Sequence, residues 1–117
     1  MSETVLITPK GYDRDKKCNG CGSGWNSKLV PDRIYFLNIN RACCIHDYMY
    51  EVGTTKFEKE VADEVLLLNL NRLINEDTNW IRNNSFVKRR MKNIAKIYYK
   101  FVVEFGDDAF FNGKEKK

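Results

Sequence analysis

The sequence predicts a small, mostly α-helical domain. The chain has 117 residues and only two prolines, it contains three long segments with helical patterns, and a short turn joins the first two of them. Apolar residues make up 43% and charged residues 31% of the chain, which is typical of a globular protein. A domain of this size buries a limited core, so cross-links or a bound ion would help to stabilise it.

The chain begins with an N-terminal arm, residues 1–17, which we expect to pack on the body of the domain. Residues 4–8 carry a weak strand pattern, which Pro9 and Gly11 end. The arm has no apolar run suited to a secretory signal, and no segment approaches the ~20 apolar residues of a membrane span. The sequence therefore leaves the localisation open.

A glycine-rich loop follows, residues 18–30. Glycine occupies every second position from Gly20 to Gly24, and two cysteines, Cys18 and Cys21, lie at the start of the loop. Glycine permits backbone angles that are closed to other residues. Such a loop can turn its carbonyl oxygens toward a cation or its amides toward an anion.

The first two helices are predicted over residues 34–52 and 55–75. Gly53 stands where a helix C-terminus is expected. Thr55 and Glu58 have the spacing of a capping box, which opens the second helix. With so short a connection, the two helices should form an antiparallel hairpin.

The third helix is predicted over residues 85–105. Gly106 closes it and begins a tail, residues 106–117, whose last four residues are charged. No acidic residue occurs from Thr78 to Val103. Several basic residues fall within that window, including Lys88, Arg89, Arg90, Lys92 and Lys96. This pattern is typical of a solvated basic helix face, and it also fits an anionic partner such as a lipid surface or nucleic acid.

The candidate site lies on the first helix. His46 is the only histidine of the chain, with Asp47 beside it and Cys43 and Tyr50 about one turn away on either side. In a helix, Cys43, His46 and Tyr50 lie roughly above one another. A lone histidine is more often a surface or core residue, but a proton acceptor next to a hard carboxylate also suits a catalytic site.

Asp63 adds to this candidate. It lies on the same stripe of the second helix as four apolar residues: Leu66, Leu67, Leu70 and Ile74. Burying an unpaired carboxylate is costly, so Asp63 should lie at the rim of the core or have a partner. The antiparallel hairpin would bring it to His46, where it could accept a hydrogen bond from one ring nitrogen while the other takes a proton from water.

The cysteines leave two interpretations open. The chain has four, in two close pairs: Cys18, Cys21, Cys43 and Cys44. They allow three disulfide connectivities, or they could bind zinc together with His46. The zinc interpretation leaves Asp47 and Asp63 unexplained.

Three pieces of the sequence together resemble a known family. They are Cys21-Gly22-Ser23-Gly24, Cys43-Cys44-Ile45-His46-Asp47-Tyr48-Met49-Tyr50 and Ala62-Asp63. In this order they resemble the calcium loop, the His-Asp helix and the second active-site helix of the secreted phospholipase A2 family, with the compact microbial or phage-type members as the nearer match. The resemblance spans residues 18–70.

The resemblance implies calcium-dependent hydrolysis of the sn-2 ester of glycerophospholipids. It makes His46 the base that activates water, Asp63 the residue that orients His46, and Tyr50 a hydrogen-bond donor to Asp63. It places Ca²⁺ on the Asp47 carboxylate and on three backbone carbonyls, those of Gly20, Gly22 and Gly24. The amide of Gly22 would stabilise the oxyanion.

The resemblance also implies a disulfide between Cys21 and Cys43, and we predict that the remaining Cys18 and Cys44 pair with each other. Predicted disulfides favour a secreted or virion-associated protein. The family often has a further disulfide at the positions of Met49 and Ala62, so we expect apolar contact there instead.

Two further expectations concern aromatic residues. The family's second tyrosine partner of the aspartate has no clear counterpart, and Tyr98 and Tyr99 on the third helix are the candidates. We expect Trp25 and Trp80 to pack in the core or at its rim rather than insert into lipid.

The implied partner is a phospholipid membrane surface or micelle. The basic residues of the third helix could contact anionic lipid, and nucleic acid is the less favoured partner. The alternatives are a catalytically silent member of the same fold that binds anionic lipid or nucleic acid, and the zinc-binding module.

Overall fold

The protein is mostly α-helical, as predicted. The computed structural model describes residues 5–12, 33–34, 37–80, 82–106 and 110. In chain order the elements are β1 (Arg33–Ile34), β2 (Leu37–Asn38), α1 (Asn40–Val52), α2 (Lys56–Asn75) and α3 (Ser85–Phe105). The predicted glycine-rich loop at 18–30 lies outside the described residues, as does nearly all of the tail.

The prediction for the N-terminal part of the first helix is wrong. The helix was expected from residue 34, but β1 and β2 form a two-stranded antiparallel sheet and α1 begins only at Asn40. Ile34 precedes Tyr35 and Phe36 in the sequence, and residues of these types favour strands. In addition, the Asn38 side chain accepts a hydrogen bond from the Asn40 backbone N–H at 2.8 Å, a local bond that competes with helix formation.

The second and third helices agree with their predictions. Thr55 is the N-cap of α2, where its hydroxyl accepts from the Glu58 N–H at 3.1 Å and the Glu58 carboxylate accepts from the Thr55 N–H at 3.2 Å. This is the predicted capping box. Asn84 caps α3 by accepting from the Val87 N–H at 2.9 Å.

The core lies between the three helices, and α2 packs against both α1 and α3. Its largest cluster contains buried residues of all three helices, among them Ala42, Ile45, Leu66, Leu70, Ile74, Met91, Ala95 and Val102. Among the described residues, no helix has the length and hydrophobicity needed to cross a membrane.

The turn between α2 and α3 is held by polar contacts. Lys88 Nζ donates to the carbonyl oxygens of Asn75 and Asp77 at 3.0 and 3.1 Å, which satisfies acceptors at the C-terminus of α2. Arg82 forms a two-point ion pair with Asp77 at 2.6 and 3.2 Å. Trp80, in the same turn, is 82% exposed, so the prediction that it packs in the core or at the rim is wrong.

The described part of the N-terminal arm, residues 5–12, packs on the helices as expected, but residues 5–8 form no strand. Leu6 belongs to the core. The Asn69 side chain, which is fully buried, accepts from the Ile7 N–H at 2.7 Å and donates to the Ile7 carbonyl at 2.9 Å. A side chain of α2 therefore takes the place that a neighbouring strand would have. Gly11, with φ of 88°, ends the segment in a turn.

Candidate active site

Asp63 is the centre of a buried polar cluster. The residue is 1% exposed. Its Oδ1 accepts from His46 Nε2 at 2.8 Å and from the Tyr50 hydroxyl at 2.6 Å, and its Oδ2 accepts from Lys59 Nζ at 2.9 Å. The sequence required Asp63 to lie at the rim or to have a partner, and it has three.

The helix hairpin explains why these side chains meet. His46 and Tyr50 lie one turn apart on α1, with their rings 4.1 Å apart between centroids. Lys59 and Asp63 lie one turn apart on α2. Residues 53–55 reverse the chain between the two helices, so that these two pairs of side chains face each other. The predicted contact between Asp63 and His46 is confirmed.

The electrostatic balance at Asp63 keeps its carboxylate ionised. Burial by itself would raise the pKa of Asp63, but the hydrogen bonds from His46, Lys59 and Tyr50 outweigh burial and hold the pKa below its ordinary value. At neutral pH the imidazole therefore faces a negative charge.

His46 has the arrangement of a general base. It is 7% exposed, and its Nε2 is oriented by Asp63. Within the described part of the chain, no hydrogen bond reaches its other ring nitrogen, Nδ1. A neutral imidazole that donates from Nε2 carries a lone pair on Nδ1 and can accept a proton there.

Asp47, which follows His46 in the sequence, lies in an environment opposite to that of Asp63. It is half-buried, and its carboxylate makes none of the hydrogen bonds or ion pairs found among the described residues. Burial raises the pKa of Asp47 to about 6, although the nearby His46 acts to lower it. A half-buried carboxylate without a partner is a group that a bound cation would stabilise.

The described residues supply only part of the predicted calcium site. Asp47 is the predicted side-chain ligand, and its carboxylate is a hard oxygen donor of the kind that Ca²⁺ prefers. The predicted carbonyl ligands on Gly20, Gly22 and Gly24, and the predicted oxyanion donor on Gly22, lie outside the described residues. Among the residues that are described, no group of three or more His, Cys, Asp or Glu side chains could hold a metal ion by itself.

The cysteines of α1 are not free thiols. Cys43 is buried, Cys44 is half-buried, and both are disulfide-bonded. Their predicted partners, Cys21 and Cys18, lie outside the described residues, so the pairing stays a prediction.

The expected apolar contact between α1 and α2 is present. Met49 packs against a buried cluster of Tyr50, Ala62 and Phe110. Phe110 is fully buried, and its ring meets that of Tyr50 edge to face at 5.1 Å between centroids. Met49 and Ala62, the positions at which we expected apolar contact, therefore belong to one packed cluster.

Lys59 is the residue of the site that the sequence analysis missed. It is 3% exposed, and besides Asp63 its Nζ donates to the carbonyl oxygens of Val102 at 3.0 Å and Val103 at 3.5 Å. A signal was available, because Lys59 lies four residues before Asp63 on the same face of the helix. A lysine near the start of a helix is nevertheless usually solvated.

The third donor to Asp63 is Lys59, not a second tyrosine. Neither Tyr98 nor Tyr99 donates a hydrogen bond to Asp63. Tyr98 is half-buried, and burial raises its pKa.

Comparison with protein-family models, with curated proteins and with solved structures gives no match.

Proposed function

We propose that the protein hydrolyses the sn-2 ester of glycerophospholipids with bound calcium. The observation that carries the proposal is the contact between His46 Nε2 and Asp63 Oδ1 at 2.8 Å. It orients the only imidazole of the chain and leaves Nδ1 to accept a proton. The adjacent Asp47, which has no hydrogen-bond partner in the described part of the chain, supports a cation at the same place.

The proposed reaction begins with removal of a proton from water by His46 Nδ1. Asp63 stabilises the imidazolium that forms, and Tyr50 and Lys59 hold Asp63. The water oxygen bonds to the ester carbonyl carbon, the bond between that carbon and the glycerol oxygen breaks, and His46 returns the proton to the leaving oxygen. Bound Ca²⁺ would supply a Lewis acid that polarises the ester carbonyl.

The calcium ligands in this proposal are the Asp47 carboxylate and the carbonyl oxygens of Gly20, Gly22 and Gly24, and the Gly22 amide would donate to the oxyanion. A site with one carboxylate should bind weakly, with a dissociation constant on the order of 10⁻⁴ to 10⁻³ M. The loop would be fastened to α1 by the proposed Cys21–Cys43 and Cys18–Cys44 disulfides.

The test is hydrolysis of a labelled phospholipid with calcium and again with a chelator. We expect His46→Gln to lose about 10²- to 10⁴-fold in rate, the usual contribution of a general base, while its circular dichroism stays that of the parent. Asp47→Lys should lose both hydrolysis and calcium binding. Full activity of a folded His46→Gln variant would refute the mechanism.

We also propose an anionic lipid surface as the partner of α3. Four predicted basic residues are exposed on this helix: Arg89, Arg90, Lys92 and Lys96. Phe86 and Ile97 are exposed on the same helix, and this combination of basic and apolar side chains is typical of helices that lie on membranes. Lys88 contributes less, because its ammonium group is bonded to the end of α2.

Sedimentation with vesicles tests this surface. Binding should be stronger to anionic than to zwitterionic vesicles and should weaken with added salt. Arg89→Glu/Lys96→Glu should reduce it, whereas Lys56→Glu, a charge reversal at an exposed position of α2, should not. Tighter binding to duplex DNA than to anionic vesicles would contradict the assignment. Vesicle binding without hydrolysis would identify a catalytically silent lipid-binding protein.

A further inference from the structure

We propose that Lys59 is a positioning residue for the His46–Asp63 pair: its ammonium group fixes the orientation of the Asp63 carboxylate and ties it to the C-terminal end of α3. The effect on turnover rests on the proposed hydrolysis. The effect on the imidazole does not.

The first step of the argument is the division of donors between the two oxygens of Asp63. Oδ1 accepts from both His46 and Tyr50, whereas Oδ2 accepts from Lys59. The terminal torsion of an aspartate has broad minima and is easily turned. Lys59 therefore opposes rotation of the carboxylate, and rotation would move Oδ1 away from His46 Nε2.

The second step concerns charge. Lys59 and Asp63 are 3% and 1% exposed, and their charged groups are 2.9 Å apart. An anion at this depth needs a cation or several donors to remain ionised. Lys59 supplies the cation, which also donates one of the three hydrogen bonds that Asp63 receives within the described part of the chain. If Asp63 were protonated and neutral, it would accept a weaker hydrogen bond from the imidazole.

The third step concerns the other contacts of the ammonium group. Lys59 Nζ donates to Val102 O and Val103 O, which lie in the last turn of α3, where the helix dipole favours a cation. The Gly106 N–H also donates to Val102 O, at 2.9 Å. The position of the ammonium group is therefore set by both α2 and α3.

The experiment compares Lys59→Met, Lys59→Arg and a control, Lys56→Met, which removes an exposed lysine from the same helix. Two experiments are made on folded protein: kinetics of phospholipid hydrolysis, which gives kcat and KM, and NMR, which gives the ¹⁵N shifts of the ring nitrogens of His46. Because His46 is the only histidine, its ring resonances need no assignment to a residue, and only Nδ1 and Nε2 have to be distinguished from each other. At alkaline pH these shifts report how the proton is shared between Nε2 and Nδ1.

We expect Lys59→Met to lower kcat by about 10- to 100-fold, the usual effect of removing a supporting partner of a reacting group, while KM changes by less than about twofold. The proton of His46 should move from Nε2 toward Nδ1. Lys59→Arg should recover most of both properties, because it restores a charged donor, and Lys56→Met should match the parent. Parent-like kcat and ring shifts in Lys59→Met would overturn the proposal.

Lys59→Met alone leaves a buried charge and could fail to fold for that reason. The double variant Lys59→Met/Asp63→Asn removes both charges, and we expect it to fold. Failure of the double variant would show that Lys59 acts through packing, which overturns the proposal. If the parent hydrolyses no phospholipid while the ring shifts respond as expected, the proposed function fails and the positioning role stands.

Discussion

The two carboxylates next to the imidazole have opposite effects on folding. Asp63 is buried but receives three hydrogen bonds, and its pKa is lowered, so its ionised form stabilises the fold. Asp47 is half-buried without such bonds in the described residues, and burial raises its pKa to about 6, so its ionised form opposes folding. A cation at Asp47 would remove that opposition.

We predict that Asp47→Asn raises the melting temperature at pH 8 in the presence of a chelator. The pKa of the Asp47 carboxyl is 3.8 in the unfolded chain and about 6 in the folded protein. The charge on Asp47 therefore does not destabilise the fold below about pH 3.8. Its destabilising effect grows between pH 3.8 and pH 6 and reaches its full size above about pH 6. Differential scanning calorimetry at pH 8 and at low pH should show the gain only at pH 8.

Calcium should raise the melting temperature of the parent but not that of Asp47→Asn, because only a ligand that binds the folded state stabilises it. Glu60→Gln, which neutralises an exposed carboxylate on α2, is the matched control and should respond to calcium like the parent. A lower melting temperature for Asp47→Asn at pH 8 would contradict the interpretation of Asp47.

We predict that Tyr50→Phe lowers the free energy of unfolding by about 1–3 kcal/mol, because it removes a hydrogen bond to a buried charge. The bond in question is the 2.6 Å contact with Asp63. Urea denaturation measures the change. Tyr48→Phe is the control, since the Tyr48 hydroxyl makes no hydrogen bond within the described residues, and a loss as large in Tyr48→Phe would show that the Asp63 contact is not the cause.

Among the elements, α2 holds the molecule together. It packs on α1 and α3, carries Lys59 and Asp63, and fixes the N-terminal arm through Asn69. The sequence predicted this helix well because its signals are local: a capping box at the start and an apolar stripe along one face. The contact of Asn69 with the arm joins residues that are 62 positions apart, and no local sequence pattern predicts it.

We predict that Asn69→Ala lowers the free energy of unfolding by about 2–4 kcal/mol, because it removes two hydrogen bonds and leaves the Ile7 peptide group without its partners. The arm should also become more susceptible to limited proteolysis. Denaturant unfolding and digestion followed by mass spectrometry measure the two effects.

Asn71→Ala is the matched control. It lies on the same helix, and its buried Oδ1 has no hydrogen-bond partner among the residues that the structure describes, so its removal should cost little. If Asn71→Ala destabilises the protein as much as Asn69→Ala, the two hydrogen bonds to the arm are not responsible.

The extent of α1 and the role of Lys59 show where sequence reasoning failed. The start of α1 was predicted too early, because β1 and β2 precede the helix and the Asn38 side chain makes a local hydrogen bond with the Asn40 N–H. The partner of Asp63 could be predicted. A buried carboxylate needs a partner, and the short turn between the first two helices brings His46 to it. Lys59 was missed, because its burial depends on the end of α3, which is distant in sequence.

At the scale of the whole molecule, α1 and α2 both contact the C-terminal end of α3. Tyr50 of α1 and Lys59 of α2 both contact the end of α3, where Gly106 fits closely. A Cβ atom at Gly106 would lie 2.3 Å from Val102 O and 2.6 Å from the Tyr50 hydroxyl. The third helix therefore closes the buried side of the candidate site.

We predict that Gly106→Ala destabilises the protein by about 1–3 kcal/mol, as overpacking of a close contact does, and lowers hydrolysis as well, because the added methyl group displaces the Tyr50 hydroxyl. Thermal unfolding and the phospholipid assay measure the two effects. Asn93→Ala, at an exposed position in the middle of α3, should be nearly neutral. Unchanged stability in Gly106→Ala would mean that the end of α3 is not packed against Tyr50.

The packing of Met49 and Ala62 with Tyr50 and Phe110 joins the two site helices without a covalent bond between them. Apolar contact does not respond to thiols such as glutathione, whereas a cross-link at the same positions would. The spacing of His46 and Asp63 should therefore be the same in a reducing cytosol as in an oxidising exterior. Only the proposed attachment of the upstream loop through the Cys21–Cys43 and Cys18–Cys44 disulfides would differ between the two compartments.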